Sequence, residues 1–152
     1  MKFICPLIVV NDISVSKSFY EKVLGQKVKY DIGANVTFEG DFALQAQYAE
    51  LVGLNQKDIV QKSNNFELYF EEEDIEDFAN RLKSIDGIEY VHDIKEYPWG
   101  QRVIRLYDPD KHIIEVGESM VTVVKRFLSQ GLSVEETAKR TMYPVEFIQQ
   151  CV

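Results

Sequence analysis

The sequence contains an internal repeat with an offset of 62 residues, and this repeat limits the possible folds more than any other feature. In each half an aspartate precedes an amphipathic segment, a glycine follows that segment, and an Asp-Ile pair lies further along. Two copies of one supersecondary unit in a chain of this length predict a pseudo-symmetric domain. The aligned landmarks are Asp12 and Asp74, Gly25 and Gly87, and Asp31 and Asp93.

Each half is predicted to fold as a strand, a helix and three further strands. The aspartates cap the two helices and the glycines end them. The fold class is therefore α+β, with two βαβββ modules forming a curved, cup-like mixed sheet and helices on its convex face. The strands are predicted at 3–10, 27–32, 35–40, 42–48, 65–71, 89–95, 101–107 and 112–117, and the helices at 13–24 and 75–86, with a short helix in the connecting segment 49–65.

Strand alternation predicts which side chains face the concave side of the sheet. In the last strand, Ile114 and Val116 lie under the helix and Glu115 faces the cup. In the strand 65–71, Glu67 and Tyr69 face the same way. A carboxylate in the middle of an apolar strand is thus explained by a cavity in front of it.

Two motifs carry a resemblance to a known family. The stretch "VVNDISVSKSFYEKVLG" spans the first cap and helix, and "DPDKHIIEV" spans the last hairpin. Together with the repeat, they resemble the vicinal oxygen chelate superfamily, which includes glyoxalase I, bleomycin and fosfomycin resistance proteins and extradiol dioxygenases. The resemblance covers roughly residues 1–118, with modules at about 1–48 and 65–118, and leaves 119–152 as a helical C-terminal extension.

The resemblance implies a set of metal-ligand positions, which in this chain hold Cys5, Gln45, Glu67 and Glu115. Glu67, Glu115 and Gln45 are accordingly the candidate ligands of a divalent metal (Ni, Zn, Mn or Mg). Glu67 and Glu115 are also the candidate catalytic carboxylates of a glyoxalase-type lyase or isomerase. In such a reaction a carboxylate abstracts a carbon-bound proton while the metal polarises neighbouring oxygens.

The chain departs from the family pattern because no histidine occupies any of these four positions. Imidazole suits Ni, Zn and Fe, whereas carboxylate oxygens favour Mg or Mn. The departure weakens the dioxygenase reading most. It keeps open a second function, a metal-free protein that binds a small organic molecule as a resistance or sensor protein.

Four residues are the candidates for binding a substrate: Arg105, Trp99, Tyr69 and Gln45. For Arg105, a cross-strand ion pair with Glu115 is a complete structural alternative. For Trp99, in the bend "EYPWGQR", the alternative is packing at a corner of the sheet. The two histidines, His92 and His112, are interpreted as structural or surface residues, and Cys5 as a small apolar side chain.

Charge and composition limit the partners. The net charge is −8, which disfavours a phosphate backbone and predicts no nucleic-acid partner. No apolar run approaches the roughly 20 residues of a membrane helix. Two isolated cysteines make no disulfide framework, and "KFICPLIVV" lacks the features of a secretory signal, so a cytoplasmic location is expected.

The C-terminal extension is predicted to form three helices. "LSVEETAKRT" begins with a capping box, Ser133 and Glu136, and Pro144 precedes a last short helix. The pattern resembles a helix-turn-helix, but its charge balance lacks the basic footprint of a DNA reader. Packing on the main domain or between subunits of a homodimer is the interpretation favoured for its apolar face.

Overall fold

The computed structural model describes all residues from Met1 to Val152 and divides the chain into two compact units. Unit 1 comprises Met1–Phe66 and Tyr107–His112, and unit 2 comprises Glu67–Leu106 and Ile113–Val152. Each unit contains one four-stranded mixed sheet. The α+β class and the two βαβββ modules predicted from the repeat are confirmed.

Unit 1 contains the first module. Its sheet has the order β1-β4-β3-β2, in which β1 and β4 are parallel and β3 is antiparallel to both its neighbours. Tyr20 on the helix is fully buried against the rings of Phe38 and Phe42, with centroids 5.7 and 5.3 Å away. The elements are β1 (Leu7–Val9), α1 (Ile13–Lys22), β2 (Val28–Asp31), β3 (Asn35–Phe38), β4 (Ala43–Gln45), α2 (Tyr48–Val52) and a 3₁₀ turn (Gln56–Asp58).

Unit 2 contains the second module and the C-terminal helices. Its sheet has the order β5-β8-β7-β6, with β5 and β8 parallel. The face under α3 is apolar, and Ile104, Leu106 and Ile114 are fully buried there. The elements are β5 (Glu67–Glu72), α3 (Ile75–Lys83), β6 (Glu89–Glu96), β7 (Arg102–Tyr107), β8 (Ile113–Glu118), α4 (Met120–Ser129), α5 (Val134–Thr141) and α6 (Val145–Gln150).

The repeat appears in the caps of the two module helices. Asp12 accepts hydrogen bonds from the backbone N–H groups of Ser14 and Val15, and Asp74 accepts from Asp77. These bonds satisfy donors that a helix N-terminus leaves without a partner. Gly25 and Gly87 follow the helices with φ of 64° and 83°, a conformation that glycine adopts without strain. The landmarks of the sequence repeat are therefore the start and stop signals of equivalent helices.

The C-terminal helices form a small core of their own in unit 2. Val124, Ala138 and Ile148 pack together, and Val123 and Phe127 on the same helix as Val124 pack against Trp99. The capping box of Ser133 and Glu136 is present at the start of α5. The prediction that this extension packs on the main domain is confirmed within unit 2. None of the helices in the structure has the length and apolarity needed to cross a bilayer.

Candidate functional site

The centre of the candidate site is the guanidinium of Arg105, on the face of the unit 2 sheet opposite α3. Its Nε donates to Glu67 Oε2 at 2.9 Å, and one Nη donates to Glu115 Oε2. Its other Nη donates to Tyr97 Oη and lies 3.2 Å from His92 Nε2. One arginine therefore joins side chains from four segments of unit 2, and we call these five residues the Arg105 cluster.

The strand register explains how this cluster assembles. Glu67 lies beside Ile113 and Tyr69 beside Glu115 on the paired strands β5 and β8, so the alternation predicted from sequence is confirmed. Glu115 is mostly buried, with 12% of its side chain exposed, whereas Glu67 is 41% exposed. Burying a carboxylate is costly unless it is paired. Arg105 is the partner that makes a charged residue tolerable in the middle of β8.

The hydrogen-bond partners of His92 indicate which of its ring nitrogens carries the proton. Nδ1 lies 2.8 Å from the carbonyl oxygen of Asp93, which only accepts, so Nδ1 carries the proton. Nε2 then presents a lone pair to the guanidinium of Arg105, which is always protonated. His92 is thus an acceptor in the cluster rather than an uninvolved surface residue.

Tyr69 lies beside the Arg105 cluster, and two hydrogen bonds fix the position of its hydroxyl group. The phenol donates to Glu71 and accepts from the buried amide of Gln101, both at 2.9 Å. Partial burial, with the Glu71 carboxylate, raises the pKa of Tyr69 to about 12. Its ring lies over Gly117, where a Cβ would come within 3.0 Å of the ring. Tyr69 is therefore a neutral, half-exposed phenol with a fixed orientation.

Trp99 connects the cluster to the C-terminal helices. Its ring stacks on Tyr97 at 4.9 Å between centroids, and its Nε1 donates to Gln101. Its hydrocarbon surface packs against Val123 and Phe127 of α4. These contacts agree with the structural alternative considered for Trp99, hydrophobic packing, and its binding role stays a prediction.

Gln45 lies in unit 1, and its amide is engaged locally. Nε2 donates to the carbonyl oxygens of Ala46 and Ala34, at 2.7 and 3.2 Å, and Oε1 accepts from Asn35. These bonds use both amide hydrogens and fix the turn after β4. The binding role of Gln45 stays a prediction, as does any role for Cys5, a partly buried free thiol that precedes β1.

A second arginine cluster of unit 2 surrounds Glu118 at the end of β8. The carboxylate is fully buried and accepts from Arg102 at 2.7 and 3.1 Å and from Arg126 at 3.1 Å. Burial alone would raise the pKa of Glu118, but the two guanidinium groups hold it below its usual value. Because Arg126 belongs to α4, this carboxylate ties the C-terminal helices to the sheet. We call these three residues the Glu118 cluster.

In unit 1, the turn after β7 forms a separate polar network. Asp110 accepts from Asn11 and Ser16, and Asp108 accepts from Tyr20 at 3.0 Å. His112 lies 2.9 Å from the same Asp108 carboxylate. Burial lowers the pKa of His112, but the hydrogen bond to Asp108 and the negative charges of Asp108 and Asp110 together outweigh it and raise the pKa above its ordinary value. The "DPD" motif thus serves to dock this turn on α1, and His112 is structural.

The comparisons with known proteins identify the family. The family model of the glyoxalase-like domain matches residues 3–121 of this chain. The chain belongs to this family and, with the fold and repeat, to the vicinal oxygen chelate superfamily. Residues 122–152, with most of α4 and both later helices, lie beyond the family model.

Solved structures agree with this assignment. A protein of unknown function from Agrobacterium tumefaciens str. C58 is 39% identical, with a TM-score of 0.67 over 78% of this chain and 94% of that chain. A lactoylglutathione lyase from Agrobacterium tumefaciens is 18% identical, with a TM-score of 0.59 over 80% and 96% of the two chains. A glyoxalase/bleomycin resistance protein/dioxygenase family enzyme from Burkholderia phytofirmans PsJN is 17% identical, with a TM-score of 0.64 over 77% and 98%. The last two show the fold alone. No curated protein matches.

The donors present do not fit the divalent metal that the resemblance implies. Arg105 lies between Glu67 and Glu115 and hydrogen-bonds to both, so a fixed positive charge stands where the ion would have to bind. No three His, Cys, Asp or Glu side chains are arranged to hold a metal ion. A guanidinium and a divalent cation that shared the same two carboxylates would repel each other strongly.

Proposed function

We propose that the chain is a glyoxalase-like protein that binds a small organic molecule on the Arg105 cluster without a metal ion. The observation that carries this proposal is the contact of one guanidinium with both Glu67 and Glu115. Arg105 already gives both carboxylates a hydrogen-bonded cationic partner, so they do not need a metal ion to be tolerated there.

The chemistry of the exposed groups favours a ligand that carries a nitrogen donor. Glu67, Glu71 and Glu115 contribute three carboxylates to this face, and Arg105 contributes one positive charge. An ammonium or amidinium group would reduce this excess of negative charge and would donate hydrogen bonds to the carboxylate oxygens. The half-exposed ring of Tyr69 offers an aromatic surface for the rest of such a molecule or for its cation.

The binding roles follow from these positions. Arg105 orients the carboxylates, Tyr69 contacts the ligand with its ring, and Glu67, being the more exposed carboxylate, pairs with the ligand nitrogen. Trp99 stabilises the position of Tyr97 in the cluster by stacking on its ring. The alternative function, a metal-dependent lyase or isomerase with Glu67 and Glu115 as ligands or base, requires Arg105 to release both carboxylates.

Elemental mass spectrometry tests the metal-free part of this proposal. The tag-free protein and a Glu115→Gln variant are each incubated with Ni²⁺, Zn²⁺, Mn²⁺ or Mg²⁺ and desalted. We expect neither protein to retain a stoichiometric metal. Retention of about one equivalent by the wild type and its loss in the variant would overturn the proposal and favour the lyase.

A thermal-shift panel tests the ligand class. Small aromatic and aliphatic amines are compared with carboxylic acids of matched size. We expect amines to raise the melting temperature of the wild type but not of a Glu67→Gln variant, while a Glu39→Gln variant, which removes an exposed charge from unit 1, responds as the wild type does. Stabilisation by the acids instead would contradict the assigned ligand chemistry.

Assembly and location remain predictions. We propose a homodimer in the cytoplasm with no nucleic-acid partner. The pairing of Arg126 and Arg140 with Glu96 supports the last point, because it occupies two of the basic side chains of the extension. Sedimentation equilibrium tests the dimer, and a gel shift with random duplex at low salt tests DNA binding.

A further inference from the structure

Unit 1 contains a partly enclosed cavity of about 250 Å³ where the end of β1 meets α2 and the 3₁₀ turn. None of its lining residues belongs to the Arg105 cluster, and none holds a ligand position implied by the family resemblance. The volume lies just below the range of about 300–1,000 Å³ that is usual for drug-sized ligands, so the cavity suits a molecule with a single ring. Its polar lining consists of Asn11, Gln47, Tyr48 and Gln56, and its apolar lining includes Val9 and Ile59.

The lining of this cavity has no charged side chain. Charged residues make up 28% of the chain, so the cavity differs from the rest of the molecule in this respect. Three of the polar side chains are carboxamides, and each carboxamide presents a donor and an acceptor next to each other. A charged ligand would lose hydration here without gaining an ionic partner. A neutral ligand with its own adjacent donor and acceptor would find complementary groups.

Asn11 is held in one orientation by Asp110. The backbone N–H and Nδ2 of Asn11 both donate to Asp110 Oδ1, at 2.9 and 2.6 Å. A carboxylate only accepts, so the amide nitrogen is the atom that faces Asp110, and Oδ1 is the atom that remains available. Asn11 therefore contributes an acceptor whose position is already fixed.

Gln47 departs from two local rules at once. Its φ is 55°, a left-handed conformation that is costly for a residue other than glycine. It also precedes α2 without the side-chain hydrogen bond that residues in this position commonly form. Neither feature stabilises the fold, and such departures are concentrated at functional positions. The carboxamide is thereby left free to bind a ligand.

We propose that this cavity binds a small neutral molecule in which a ring carries an amide group. The ligand amide would exchange hydrogen bonds with the carboxamides of Gln47 and Gln56, and its N–H would donate to Asn11 Oδ1. Its ring would lie against the apolar side chains of the lining. This site is separate from the one described under the proposed function, because it involves different residues and a ligand without charge.

A nuclear magnetic resonance titration with benzamide tests the site. The isotopically labelled full chain is titrated with benzamide, benzoate and benzylamine, which share a ring and differ in charge. We expect benzamide to shift the side-chain NH₂ signals of Gln47 and Gln56 and the backbone N–H signal of Tyr48 in a saturable manner. Benzoate and benzylamine should leave these signals unchanged. Absence of a shift with benzamide, or equal shifts with either charged compound, would overturn the proposal.

The most informative variant is Gln47→Gly, because it removes the carboxamide and the backbone strain together. We expect its melting temperature to equal or exceed that of the wild type, while its affinity for benzamide falls about tenfold through the lost hydrogen bonds. A residue needed only for folding would show the opposite pattern. Gln56→Ala should weaken benzamide binding as well and does not alter the left-handed residue. Unchanged affinity in both variants would overturn the proposal.

Glu50→Gln is the matched control. Glu50 lies on α2 but lines a neighbouring cavity of about 280 Å³, which shares Gln47 with this one. We expect this variant to bind benzamide as the wild type does. Loss of binding in Glu50→Gln with full binding in Gln56→Ala would assign benzamide to the neighbouring cavity and contradict the proposal.

Glu67→Gln separates this site from the proposed function. The variant should lose the response to amines and keep the wild-type affinity for benzamide, because Glu67 does not line the cavity. Loss of both responses would contradict the independence of the two sites. Either proposal can therefore fail while the other stands.

Discussion

Unit 2 contains two arginine–carboxylate clusters that differ in their balance of charge and in their exposure. In the Glu118 cluster two guanidinium groups surround one fully buried carboxylate. In the Arg105 cluster two carboxylates share one guanidinium, and Glu67 reaches solvent. The first leaves no charge for a ligand to satisfy, because Arg102 also pairs with Glu76 and Arg126 with Glu96. The second keeps a negative excess at a surface. Ion pairs of one type thus fix the structure in one place and, in the proposed function, supply a binding face in the other.

The largest expected effect comes from removing the buried carboxylate. Glu118→Gln leaves two arginines without their common partner and should lower the free energy of unfolding by about 3–5 kcal/mol. Urea denaturation measures this loss. Glu76→Gln is the control, because Glu76 also pairs with Arg102 but is 61% exposed, and it should cost less than about 1 kcal/mol. Equal losses in the two variants would show that the buried carboxylate contributes no more to stability than an exposed one.

Trp99→Ala should have the next largest effect, because Trp99 packs on α4 and stacks on Tyr97. Replacing this half-buried ring should cost about 2–3 kcal/mol in the same denaturation experiment. It should also weaken amine binding at the Arg105 cluster, which Tyr97 contacts. Trp99→Phe retains most of the packing and should recover both properties. Full amine binding by a folded Trp99→Ala variant would show that the cluster does not depend on the C-terminal helices.

The pH dependence of stability tests the ion pairs of the Glu118 cluster. The pKa of Glu118 is held below its usual value by Arg102 and Arg126, so its contribution is present above the unfolded pKa of about 4.3. The contribution is lost as the pH falls through the lower folded value. The stability difference between wild type and Glu118→Gln should therefore be full at neutral pH and shrink in acid. A difference that grows in acid would contradict the assigned ion pairs.

The smallest expected effect concerns Tyr69. Tyr69→Phe removes hydrogen bonds to Glu71 and Gln101 and should cost about 1 kcal/mol. Ultraviolet titration should show that this variant lacks one tyrosine that ionises near a pKa of about 12 in the wild type. Amine binding should be nearly retained, because the ring remains. An unchanged titration curve would mean that the phenol is not held as described.

The fold was predictable because its signals are local and occur twice. Asp12 and Asp74 begin equivalent helices, and Gly25 and Gly87 follow them, as the repeat indicates. Strand alternation also gave the correct facing of Glu115. The first strand is shorter than the predicted 3–10 and begins at Leu7, after Pro6, which lacks the N–H that a strand ladder needs.

The candidate site was only partly predictable, because its partners come from distant segments. The pair of Arg105 and Glu115 was expected from neighbouring strands, but His92 and Tyr97 were not recognised as its neighbours. Counting back from the turn closed by Tyr97 and Gln101 sets Asp93, not His92, opposite Arg105, so strand counting alone does not predict the His92 contact. Glu118 was missed altogether. Its second arginine lies on α4, and sequence patterns within a single strand carry no information about such a contact.

The position of Trp99 has a practical consequence for studying the protein. It is the only tryptophan of the chain, and its ring touches Tyr97 on one side and α4 on the other. Its fluorescence therefore comes from one defined place between the Arg105 cluster and the C-terminal helices. A ligand that moves Tyr97 and a denaturant that detaches α4 should change the emission separately, so one unlabelled sample reports on both events.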